Sequence, residues 1–415
     1  MEAMKTKTTI PASRLKLHAS LLLFALCSMP YAHGQQYGWT DLSANVPGDP
    51  DFSGVFFVSD NEGWMSVSSG PEIYHTTDGG ATFEIQETSL GTSTSDIYMI
   101  DENEGYTGGG SGFVYRTTNG GINWDLLGAM SSTLAELDFA NSTQGYACGD
   151  NGAVFSITPQ GVTNLNSGLA SDLAGVSAPS VDNVWICGGG QIVHFNGSDF
   201  NFQSGPVGSY NSIFFINDLE GWVIGTGGII GHTENSGVAW ANQAPGNPSD
   251  ESLFDIFFLT TEIGWAVGAR GTILKTTNGG DTWFVEGAGL TTALLRRIHF
   301  TSPTNGYVVG NGKTLLKYSE VSGIGDLNHN GGDIMLWPNP TQGQLKVQSS
   351  KCKVEFKSLD LIDLYGKVLI THNNRTIEQW NSGTLELDLS GFPPGIYIVR
   401  IIFGNELIVK KIIKL

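Results

Sequence analysis

The sequence predicts an all-β protein in two parts: a seven-bladed β-propeller followed by a small Ig-like β-sandwich. Three observations lead there. A short turn box recurs along the first three quarters of the chain, as TTDGGATF at 76–83, TTNGGINW at 117–124, TTNGGDTW at 276–283 and a worn copy, TENSGVAW, at 233–240. A Gly-Trp or Gly-Tyr step recurs with it. The last 80 residues carry alternating apolar runs between Gly, Pro and Asn turns and lack the box.

The chain begins with Lys5, Lys7, Arg14 and Lys16 ahead of the apolar run LHASLLLFALCSM and the small residues of PYAHGQ. This pattern predicts a secretory signal peptide over 1–34, cut after Gly34. The apolar run is short for a membrane span. Cys27 offers a lipoprotein alternative, but the bulky Leu26 before it disfavours that reading. No later stretch is long and apolar enough to suggest an integral membrane protein. The mature chain would keep Cys148, Cys187 and Cys352, too few and odd in number for a disulfide framework. Cys148 and Cys187 each follow a repeat aromatic by two residues and are expected to be small buried hydrophobes.

Charge divides the chain. Residues 35–332 hold 7 Lys+Arg against 31 Asp+Glu, a net of −24, while 333–415 hold 10 against 8, a net of +2. So acidic a first part argues against nucleic acid or an anionic membrane as a partner.

The aromatic of the Gly-aromatic step marks the phase of the repeat: Trp64, Tyr106, Tyr146, Trp185, Trp222, Trp265 and Tyr307, with spacings of 42, 40, 39, 37, 43 and 42. A period near 40 with several short strands per unit indicates a propeller. Each unit reads as four strands: an apolar run such as DIFFL, a strand from the Gly-aromatic step, the stretch before the box and the stretch after it. The seventh unit stops after its third strand. YGWTDLS at 37–43 resembles the fourth strands TWFVEG and NWDLLG, so the N-terminus is expected to close the ring on the last unit.

Within the box, Asp78, Asn119, Asn235 and Asn278 can turn their side chains onto nearby backbone N–H groups. The two residues that follow, Gly-Gly in the intact boxes, tolerate positive φ. No box residue is a convincing nucleophile, base or metal cage, so these four residues are read as structural.

These units resemble the Asp-box propeller family typified by photosystem II assembly and stability factors. The resemblance covers about 37–320 and is clearest in units one, two and six. It implies a propeller that binds or scaffolds other proteins. The tail, through Pro338-Asn339-Pro340, Gly343, Tyr365-Gly366-Lys367, Gly395-Ile396-Tyr397 and Lys410-Lys411, resembles the type A sorting domain of the type IX secretion system. That resemblance implies the type IX machinery as a partner, export through the periplasm, and a secreted or surface-attached product. The expected domains are thus a signal peptide (1–34), propeller (35–320), linker (321–335) and sorting domain (336–415).

Possible sites are weighed as follows. His75, His194 and His232 share one position on third strands, where other units carry Arg116, Lys275 and Lys317. Spread around a ring, they would not converge on one metal ion, and a solvated rim with local ion pairs is expected. Asp326, Asn328, Asn330 and Gly331 in GDLNHNGGD match the start of a calcium loop, but Trp337 stands where the closing carboxylate belongs, so a polar linker is the preferred reading. No cofactor is called for. A sialidase would gather several arginines, and the propeller offers Arg116, Arg270, Arg296 and Arg297. The last two are neighbours on a strand and point to opposite faces. Xyloglucanase-type enzymes of this class need two propellers. Paired carboxylates remain open. The leading expectation is a non-catalytic exported propeller that binds a protein or surface glycan through one face and the central funnel, with Arg270 and exposed aromatics as candidate contacts. The rivals are a secreted glycoside hydrolase and a structural adhesin.

Overall fold

In the computed structural model, the described residues are 37–320, apart from 90, 244–250 and 288, together with 334–337, 341–349, 356–363, 367–373, 384–403 and 406–414. The signal segment, the calcium-like stretch 325–333 and Cys352 lie outside them. The chain divides into two compact units at 321/322.

The first unit is a ring of seven four-stranded antiparallel sheets. Six are built from consecutive strands, over 52–87, 94–129, 134–164, 175–203, 210–243 and 253–286. The seventh combines Leu295–Ser302, Asn305–Gly310 and Leu315–Glu320 with the N-terminal strand Tyr37–Asp41. Tyr37 pairs with Glu320 and Asp41 with Leu316, so the start of the chain supplies the outer strand of the last blade. Closure pairs an edge that would otherwise be open. Beyond that strand the Leu42 amide donates to the Leu315 carbonyl (2.8 Å), and Trp39 packs edge-on to Phe300.

Blades are bonded to one another by the phase aromatics. Tyr307 stacks on Phe57 of the first blade (3.5 Å between ring centres), Trp222 on Phe258 (3.5 Å), Trp265 on Phe300 (3.9 Å) and Trp185 on Phe215 (4.3 Å). In each case the aromatic on a second strand meets a Phe on the innermost strand of the next blade. This is why one large aromatic is needed per repeat and why it keeps phase: it is the contact between layers. Cys148 and Cys187 are buried free thiols in the same layers. Among the described residues no helix is long and apolar enough to cross a membrane.

Among its described residues the second unit has seven strands in two antiparallel sheets, one of three and one of four strands. Leu345, Val347 and Leu387 from the smaller sheet and Leu359, Leu361, Val399 and Ile401 from the larger one share a single core, which makes a sandwich.

Candidate functional site

The boxes link third to fourth strands, on the same end of the ring as the hairpins between first and second strands. Asn278 Oδ1 accepts from the Thr282 amide (3.0 Å) and from Thr276 Oγ1 (3.0 Å), and Thr276 Oγ1 accepts from the Gly280 amide (2.9 Å). Asp78 does the same work, accepting from the Thr82 hydroxyl and from the amides of Thr82 and Ala81, and these bonds hold its carboxyl down at about 2. Asn119 and Asn235 accept from the amides of Asn123 and Ala239.

The box has a second use that the sequence did not suggest. The carbonyl of its first glycine receives a bond from the phase aromatic of the preceding blade: Trp64 Nε1 to Gly120 (3.1 Å), Trp222 Nε1 to Gly279 (3.0 Å), Tyr307 Oη to Gly79 (3.4 Å). Gln86 and Gln243 on preceding blades add a second donor to Gly120 and Gly279. The next glycine is packed as well, since a Cβ on Gly280 would lie 1.9 Å from Gln243 Oε1. In the worn box Ser236 replaces the first glycine, and Trp185 Nε1 is buried without a partner.

The basic residues on third strands require a correction. They are not a solvated rim. Each caps a phase aromatic: His75 on Trp64 (4.5 Å), His194 on Trp185 (4.4 Å), His232 on Trp222 (4.6 Å), with Lys275, Lys317 and Arg116 over Trp265, Tyr307 and Tyr106. A cation or a flat imidazole suits an aromatic face, and stacking half-buries it. The three histidines stay apart, one per blade. His232, however, meets carboxylates: Glu220 at 3.3 Å and Glu234, with the donor atoms of all three within 4.8 Å of one another. Burial, with help from Glu234, pushes the Glu220 carboxyl up to about 7, and burial lowers His232. The group opens into a cleft between blades five and six that Glu262 and Asp281 also line.

Arg270 lies at the other end of the ring, in the turn between second and third strands. Its φ is +53°, a position that Ser111, Asn151 and Gly227 hold in other blades. The side chain is 80% exposed and pairs with Glu251 at 3.1 Å. The exposed aromatics Phe202 and Phe284 sit on outermost strands, away from either face of the funnel.

Sequence reasoning weighed Arg297 for a sialidase cluster but did not find its partners. Arg297 is largely buried near the central axis, 17% exposed, 3.7 Å from Asp96 and 3.5 Å from Glu136, and also influences Asp255. One signal was available. At one register of the innermost strands stand Gly54, Asp96, Glu136, Gly175, Ser212, Asp255 and Arg297, and in six of the seven a bulge immediately before that residue interrupts the pairing. A bulge re-aims a side chain. Burial raises all three carboxyls, Asp96 to about 6, while Arg297 pulls them back. These groups also tie the blades together: Asp96 accepts from the Leu137 amide (3.0 Å) and Asp255 from the Ile298 amide (2.8 Å), and the neighbouring His299 accepts from Phe57 (3.3 Å). The channel holds about 100 Å³. That is room for a few waters and too little for a sugar or a peptide.

Residues 242–319 match the family of the photosynthesis system II assembly factor YCF48, and residues 335–415 match the secretion system C-terminal sorting domain. A propeller with a BNR-type segment is thus followed by a secretion sorting domain. The sorting domain implies export and a secreted or surface location, with the secretion machinery as a partner. Among curated proteins none matches the chain. Solved structures with similar folds include YCF48 from Cyanidioschyzon merolae (19% identity, TM-score 0.56, covering 68% of this chain and 99% of that one). They also include YCF48 bound to D1 peptide (18%, 0.57, 72% and 99%) and virginiamycin B lyase from Staphylococcus aureus (15%, 0.58, 68% and 99%). At these identities the likeness concerns the fold, which a peptide binder and a lyase share.

Proposed function

We propose that the exported propeller is a non-catalytic binding module whose ligand is a cationic protein segment, held on the box-side face. The observation that carries this reading is the match of 242–319 to an assembly-factor family, within a fold that in YCF48 has been solved with a peptide bound. Two features of this chain direct it. The net charge of −24 over 35–332 favours a cationic partner. The exposed Val181, Leu219 and Val238 stand on box-side turns of blades four and five, at the same end of the ring as the acidic cleft. Because the channel is too narrow for a ligand, the contact falls on a face; Arg270, on the opposite end, serves its turn and its ion pair with Glu251.

The test is retention of the mature chain on an array of 15-residue peptides of graded charge. Cationic peptides should be bound in a salt-sensitive manner, and Glu262→Lys with Asp281→Lys should weaken that binding. Equal retention of acidic and basic peptides would refute the reading. One observation favours glycoside hydrolysis as a second reading: Glu220, raised to about 7, shares its cleft with the exposed Glu234. Release of reducing ends from a polysaccharide panel, lost in Glu220→Gln, would establish it instead.

A further inference from the structure

We infer that Glu220, His232 and Glu234 form a binding site for a divalent transition-metal cation of the zinc type, on the box-side rim of blade five. This inference is independent of the peptide-binding reading.

The repeat supplies its own comparison. Blades one and five carry the same pair, Glu62 with His75 and Glu220 with His232, each 3.3 Å apart and each imidazole stacked on a Trp. In blade two the same place holds Glu104 with Arg116 at 2.9 Å, a complete ion pair. Blade five differs at a box position that bears on this pair. The second box position is Thr77, Thr118 and Thr277 elsewhere, and it is Glu234 here. That change sets a second carboxylate beside a Glu–His pair which already exists. Without a cation, carboxylates held this close repel each other. A bound dication turns that repulsion into attraction.

Geometry agrees with the charge argument. Zinc bonds of about 2.0–2.1 Å to nitrogen and oxygen in a tetrahedron place neighbouring donors about 3.3–3.4 Å apart. His232 Nε2 and Glu220 Oε1 are 3.3 Å apart, and the Glu234 donor lies within 4.8 Å of both. Glu234 is an exposed side chain on a turn, so closing its remaining distance costs little. The imidazole is fixed in plane by Trp222, at 4.6 Å and 7°, and Trp222 is itself fixed by its bond to Gly279. One nitrogen and two carboxylate donors suit zinc better than calcium, which prefers six or more oxygens. Three protein donors leave a coordination position open toward the cleft.

The experiment is calorimetric titration of the chelator-treated mature chain with zinc chloride and, separately, with calcium chloride. One zinc per chain is expected at neutral pH, with calcium at least tenfold weaker. Glu234→Thr restores the residue of the other boxes and therefore keeps the turn. It should weaken zinc binding at least tenfold, and His232→Gln should abolish it. His75→Gln, in the blade-one pair that lacks the third donor, should bind as the parent does. The inference is overturned if no stoichiometric zinc binding appears, if Glu234→Thr binds zinc as tightly as the parent, or if His75→Gln loses binding to the same extent as His232→Gln.

Discussion

Replacing Arg297 by Met would test the axis of the ring. The side chain is largely buried and is the cation that faces Asp96, Glu136 and Asp255. Removing it leaves three buried carboxyls with no counter-charge. Breaking a buried ion pair from one side costs about 3–5 kcal/mol. For a domain of this size that lowers Tm by roughly 6–15 °C at pH 7.5. The pH dependence carries the mechanism. Asp96 titrates at about 6 in the folded protein against 3.8 ordinarily, so the folded state binds its proton more tightly than the unfolded chain. A carboxyl raised in this way reduces stability as pH climbs from about 4 through 6, and the reduction is complete above that range. Loss of Arg297 raises the three carboxyls further, which enlarges the deficit at neutral pH and lets protons repair it in acid. Histidines depressed by burial, such as His299 at about 3, lose stability in acid, but they are common to both proteins and cancel in the difference. Scanning fluorimetry or calorimetry of parent and variant from pH 4.5 to 8 should therefore show a Tm gap that is widest at high pH and less than half as wide at pH 4.5. A gap that does not change with pH, or no gap at all, would refute the account of the axis as a charge-compensated hub.

Three further predictions concern ring closure and the turn box. Deleting 37–43 removes the outer strand of the last blade together with Trp39, whose Nε1 donates to Glu286 (3.1 Å); a loss of more than about 3 kcal/mol, or aggregation through the strand Leu315–Glu320, is expected in thermal melts, and an unchanged melt would mean that the ring closes otherwise. Asn278→Ala should cost roughly 0.5–2 kcal/mol, by analogy with other side-chain caps of backbone N–H groups. Trp283→Ala should cost roughly 3–5 kcal/mol, because the ring is buried against Phe258 of its own blade. Paired melting and peptide-binding measurements check both, and an Asn278 variant that melts normally yet fails to bind would make the box a ligand site.

Much of this molecule was written locally. A Gly-aromatic step every 40 residues, a turn box with its Asp or Asn, and an orphan fourth strand at the N-terminus each depend on near neighbours in sequence, or on a repeat that can be counted. They sufficed for the blade number, the ring closure and the role of Asp78, Asn119, Asn235 and Asn278 in their turns. What lay beyond reach were contacts between residues of different blades or different strands, which no local pattern encodes. The basic residues appeared solvated because the aromatic beneath each one lies on a neighbouring strand. Arg297 was weighed only against a sialidase arginine cluster, because its partners, Asp96 and Glu136, lie about 160–200 residues away in sequence. Glu234 read as decay of the box, and the fold sets it beside Glu220 and His232. The sequence by itself determined the repeat, the local turns and the division into a propeller and a sorting domain, since these follow from backbone preference and hydrophobic period. Only the tertiary structure decided which charges meet, because a closed ring brings one residue from each innermost strand to a common axis, and sets hairpins of adjacent blades side by side at its rim.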